Sequence, residues 1–76
     1  MVGVYVLVKV NAGTVWKVSE SLEDFEELES ISILTGPYDI IVHAELPSNQ
    51  DLRLLLDDMH AISDISQTET CIAIRR

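Results

Sequence analysis

Leu34-Thr35-Gly36-Pro37-Tyr38-Asp39-Ile40-Ile41-Val42 lies almost at the centre of the chain and divides it into two halves. Gly36-Pro37 punctuates two apolar runs, residues 31–34 before it and 40–42 after it. Glycine tolerates positive φ, and proline presets φ near about −65° for a turn. The pattern predicts a β-hairpin, with a strand over residues 31–35 and another over 38–46.

The two sides of this turn read alike. Before it, Val4, Val6, Val8 and Val10 alternate with Tyr5, Leu7 and Lys9, the period of a strand. Asn11-Ala12-Gly13 reads as a turn and Thr14 as the N-cap of a helix whose apolar stripe is Val15, Val18, Leu22 and Phe25. Trp16 is off that stripe, placed to pack at the sheet edge or against a neighbouring subunit. After the hairpin, Pro47 stops the strand and Ser48 caps a second helix, with Asp51 completing a variant capping box. Leu52, Leu55, Leu56 and Met59 form its buried stripe; Arg53, Asp57 and Asp58 point to water. Ile65 enters a last strand running through Thr68-Glu69-Thr70-Cys71-Ile72-Ala73-Ile74.

The halves align as a repeat. Tyr5 matches Tyr38 and Leu22 matches Leu55 at an offset of 33, and Leu28–Ile62, Ile31–Ile65 and Ser32–Ser66 follow at 34. Two βαβ-like units in tandem give the order βαββαβ, an α+β fold of the ferredoxin-like kind. Right-handed crossovers place both helices on one face of a four-stranded antiparallel sheet. Residues 1–76 are read as a single domain.

A chain of 76 residues is marginal by itself, because a domain this small buries only about 60% of its unfolded surface. Tyr5 and Leu7 make the second sheet face apolar too, and the helices cover only the first. The natural cover is a second copy's sheet, giving a dimeric α+β sandwich or barrel. The net charge of −8, with Arg75-Arg76 the only basic cluster, argues against nucleic acid and against anionic membranes. No apolar run approaches a membrane span, and Lys9 interrupts the N-terminal stretch where a signal peptide would be apolar, so the expected compartment is the cytoplasm. Cys71 is alone and sits in an alternating strand, where a buried thiol acting as a small hydrophobe is expected.

Enzyme chemistry finds little support. His43 and His60 lack metal-ligand spacing, and G-x-S-x-G, P-loop and G-x-G-x-x-G patterns are absent. We assign no catalytic residue, metal ligand or cofactor from the sequence. Asp39, His43 and Glu45 share one strand face and are the nearest approach to an acid–base set. The polar residues at the hairpin and in the last strand are more informative. Asp39 and Thr68-Glu69-Thr70 offer acceptors and hydroxyls beside free turn amides, the groups that hold a zwitterion such as an amino acid. As structural features, Asp39 satisfies turn amides and the threonines favour a strand. The hairpin turn and the start of the last strand are expected at opposite ends of the sheet, roughly 20 Å apart. A ligand touching both would then lie between subunits, coupling binding to assembly.

Thr35-Gly36-x-Tyr38-Asp39 followed by Thr68-Glu69-Thr70, Ile72 and Ile74 resembles the effector-binding domain of the Lrp/AsnC (feast/famine) transcriptional regulators, from Val4 to Ile74. The resemblance implies dimerisation through the sheets, rings that are often octameric or decameric, and amino acids or related metabolites bound between dimers. It carries the ligand cleft onto Gly36, Pro37, Tyr38, Asp39, Thr68, Glu69 and Thr70. Two features depart from the family pattern. Pro37 replaces the more usual acidic residue and removes an N–H donor, and the Pro-Gly that often precedes the second and fourth strands is missing. The chain begins directly at the first strand, like stand-alone versions that lack the helix-turn-helix.

The expected function is a self-assembling small-molecule sensor, for an amino acid by class, that binds no DNA itself and modulates a full-length Lrp/AsnC regulator by co-assembly. The alternatives are an oligomerisation scaffold without ligand, or a small cofactor-free dimeric α+β barrel enzyme. The enzyme needs a pocket between helices and sheet lined by His43 or His60.

Overall fold

The computed structural model describes residues 1–74; the Arg75-Arg76 pair lies outside the described residues. The elements run β1 (Val2–Val10), α1 (Val15–Glu23), β2 (Leu28–Ile33), β3 (Ile40–Leu46), α2 (Asn49–His60) and β4 (Ile65–Ala73). The sheet order is β2-β3-β1-β4 with every neighbouring pair antiparallel. This is the βαββαβ ferredoxin-like arrangement expected from the repeat.

Strand period sets the core. Val4, Val6 and Val8 of β1 and Ile40, Val42, Ala44 and Leu46 of β3 all face one side and are buried. Val18 and Leu22 of α1 and Leu55 and Met59 of α2 close over them in one cluster, so both helices lie on that face. Leu22 and Leu55, matched by the repeat, occupy equivalent central positions. Tyr5 and Tyr38 do not: Tyr5 is inside β1, whereas Tyr38 precedes β3.

Several local expectations shift. α1 ends at Glu23, so Phe25 lies beyond the helix and packs against the core from the connection. Thr14 occupies the N-cap position without capping through its side chain; its hydroxyl donates instead to the Asn11 carbonyl at 2.7 Å. Trp16 is 71% exposed and does not pack at the sheet edge within the protomer. The hairpin connection is longer than a tight turn and spans residues 34–39, closed by the Leu34 N–H donating to the Asp39 carbonyl at 2.8 Å. Gly36 carries φ +137°, a conformation that L side chains rarely adopt.

Ser48 does cap α2. Its hydroxyl accepts from the Asp51 N–H at 3.4 Å and donates to the Asp51 carboxylate at 2.8 Å. Ser48→Ala is expected to lower unfolding free energy by about 1 kcal/mol in urea titration; no change would show the cap to be ornamental.

Candidate functional site

β3 and β4 both run antiparallel to β1, so the starts of both flank the end of β1. Val8 pairs with Ile40 on one side and with Thr68 on the other. The hairpin connection and the Thr68-Glu69-Thr70 segment therefore share one end of the sheet. The expected separation at opposite ends is incorrect, and with it falls the geometric reason for placing a ligand between subunits.

The two segments touch. The Tyr38 phenol donates to the Glu69 carboxylate at 2.5 Å, across the end of β1. Neutral-to-carboxylate O–H···O bonds of this kind are short because the acceptor is charged. The bond holds the Tyr38 phenol above its usual pKa; desolvation and the negative charges of Glu69 and Cys71 push the same way. The neutral phenol is the bonded form. Its contribution is present below the ordinary tyrosine value near about 10 and is lost as pH rises through the folded value. In a Tyr5→Phe background, absorbance titration of Tyr38 is expected to give a lower midpoint after Glu69→Gln. Equal midpoints would show that the bond does not persist in solution.

Asp39 has a different task. Its carboxylate accepts from the Val10 N–H at 2.9 Å, and its own N–H donates to the Val8 carbonyl at 2.9 Å. Val10 lies where the β1–β4 register shifts, leaving an amide that the ladder does not serve regularly. Asp39 thus staples the end of β1 rather than the turn amides, and it does not join His43 and Glu45. The residue that does is Glu29, 3.5 Å from His43 Nδ1, while Glu45 stands 3.1 Å from His43 Nε2.

The other expected residues divide between the two sides of β4. Thr68 and Thr70 pair with Val8 and Val6 and so lie on the helix side, whereas Glu69 pairs with Leu7 and lies on the outer side. Thr68 Oγ1 is 2.8 Å from His60 Nε2. His60 also borders a groove of about 330 Å³ along α2, with Asn49, Leu52, Arg53, Leu56 and Asp57. Gly36 and Pro37 are exposed in the connection. Lys9, not singled out from the sequence, is exposed on the outer side beside Gln67, diagonal to Glu69. Its alternation with Tyr5 and Leu7 was the available signal.

Cys71 is exposed, not buried. β4 is an edge strand, and Cys71 faces outward opposite Tyr5, where no helix covers the sheet. His43 is on that outer side too, its ring stacked on Tyr5 with centroids 4.6 Å apart. It therefore cannot line a pocket between helices and sheet, and that space is occupied by the buried core. No helix among the described residues is long and apolar enough to cross a membrane.

Comparison with known proteins agrees with this architecture. The chain is 30% identical over 71 residues to the HTH-type transcriptional regulator FL11 of Pyrococcus abyssi, covering 93% of this chain and 47% of that protein. It spans about half the length of the curated relatives it matches. The crystal structure of FFRP-DM1 superposes with a TM-score of 0.90 at 31% identity, covering 97% of this chain and 100% of that one. The structure of Escherichia coli AsnC superposes with a TM-score of 0.91 at 25% identity, covering 99% of this chain and 52% of that one. The family model described as the Lrp/AsnC ligand binding domain matches residues 3–76. The chain therefore belongs to the Lrp/AsnC ligand binding domain family.

Proposed function

We propose that this chain is a self-assembling effector module that works in the cytoplasm and binds a small zwitterionic metabolite, an amino acid by class. The site is the rim of the sheet where β1 ends and β3 and β4 begin. The observation that carries this reading is the Tyr38–Glu69 bond, which joins the Gly36-Pro37-Tyr38-Asp39 connection to the Thr68-Glu69-Thr70 segment inside one protomer. Glu69 supplies an acceptor for an ammonium group, and Lys9 a cation for the carboxylate, so both charges of a zwitterion meet a partner. Gly36 and Pro37 shape the connection, Asp39 anchors it, and Thr68 and Thr70 offer hydroxyls on the helix side. The resemblance extends this to rings of eight or ten copies with the site near a subunit seam.

The domain itself is proposed not to contact DNA, since a net charge of −8 repels phosphate. The effect on transcription would then pass through co-assembly with a full-length regulator. Thermal-shift measurements against each common amino acid test the reading. At least one is expected to raise Tm by several degrees, with the rise lost in a folded Glu69→Gln variant. No stabilisation by any of them would overturn the sensor reading.

A scaffold without ligand is the second reading, favoured by two observations: Tyr38 and Glu69 already satisfy each other, and Asp39 is spent on Val10. For a scaffold, Glu69→Gln would change the Tyr38 titration and leave no ligand effect to lose.

A further inference from the structure

Towards the other end of β1, on the outer side of the sheet, we infer that Glu29, His43 and Glu45 form a binding site for a divalent transition-metal cation of the zinc class. This site is independent of the effector reading.

Its assembly follows from strand geometry. His43 and Glu45 are two apart in β3 and share a face. Glu29 reaches them because the β2–β3 register shifts between Leu28 and Ser30. One ligand atom from each of the three residues lies within 4.8 Å of the others. Two ligands of a zinc ion, each about 2.1 Å from it, stand roughly 3.4 Å apart. The hydrogen-bond contact of 3.1 Å between His43 Nε2 and Glu45 is close to that spacing. Glu29, with its side chain 55% exposed, has the freedom to close the remainder.

The chemistry of the ring makes the arrangement informative. A neutral imidazole has one N–H and one lone pair. Here each ring nitrogen faces one carboxylate oxygen, Glu29 at Nδ1 and Glu45 at Nε2. One ion can take only one of those nitrogens, so Nε2 with Glu45 supplies the pair already in place and the Glu29 carboxylate swings in from the Nδ1 edge to complete the set. One imidazole nitrogen with two carboxylate oxygens suits a borderline cation such as Zn²⁺, and leaves a coordination position open.

Two surrounding features prepare the site. The Tyr5 ring lies nearly parallel to the imidazole, with an interplanar angle of 16°, and fixes its plane. Position 3 is glycine, and a Cβ there would come within 2.6 Å of the Glu45 carboxylate. Gly3 thus leaves room for Glu45, whose side chain is only 16% exposed.

The test is equilibrium dialysis of the chelator-stripped full chain against Zn²⁺ alone, with metal analysis. About one zinc per chain is expected, with affinity at least about tenfold weaker in His43→Asn and in Glu29→Gln, and unchanged in His60→Asn and Cys71→Ser. Glu29→Gln alters an exposed side chain, so its far-UV spectrum should match the parent and keep the result interpretable if His43→Asn misfolds. Zinc uptake far below one per chain would overturn the inference. So would uptake that survives Glu29→Gln unchanged, or that disappears in Cys71→Ser. In those cases the cluster is a histidine held between two glutamates, or the metal belongs to the thiol.

Discussion

Leu22→Ala is expected to destabilise the protein by about 2–5 kcal/mol, because it removes buried methyl groups and leaves a cavity that neighbours only partly fill. Leu22 is fully buried against both the sheet and the rest of the cluster. A chain of this length has a total stability of about 4–11 kcal/mol, so the variant would stand at or near the edge of folding. Urea denaturation followed by circular dichroism measures the loss. A cost below about 1 kcal/mol would mean that the helix-to-sheet core is not packed as described.

Leu7→Asp is expected to act on assembly instead. Leu7 sits on the outer side of β1 between Ile41 and Glu69, and only part of it is covered within the protomer. An aspartate there costs the isolated fold little. Against a second sheet it would place an unpaired charge in an apolar seam, beside Tyr5, which is 41% exposed. Central interface positions of this kind are worth about 2 kcal/mol or more, so the dissociation constant should rise by roughly thirtyfold or further. Sedimentation velocity of parent and variant reads the change directly. An unaltered assembly would show that copies associate through some other surface.

Much of this was legible in the residues. The alternation of Val4, Val6 and Val8 and of Ile40, Val42 and Ala44 names the buried face, because strand period leaves no other choice once both partners are apolar. Leu22 and Leu55 mark the two helices by the same logic at helical period. Ser48 with Asp51 announces a cap that the structure contains. Thr14 shows why such a signal is not sufficient: its hydroxyl donates to the Asn11 carbonyl and caps no helix amide.

Features that depend on register or on the protomer's edge were harder to read. Glu29 joins His43 only because β2 shifts register beside it, and no residue pattern dictates that irregularity. Cys71 alternates as a buried residue would, but β4 is an edge strand and its outer side is open within the protomer. The meeting of Tyr38 with Glu69 is a different case. It follows from strand direction alone, since two strands antiparallel to β1 must both begin at its end. The Gly36-Pro37 pair locates the connection correctly but not its extent, because Thr35 and Asp39 are equally compatible with strand or loop.

Sedimentation equilibrium of the unmodified chain over a wide concentration range tests whether a copy of this protein covers the open sheet face. The expected mass is a stable multiple of the 8.5 kDa protomer even in dilute solution. A folded species that keeps the protomer mass at every concentration would contradict it.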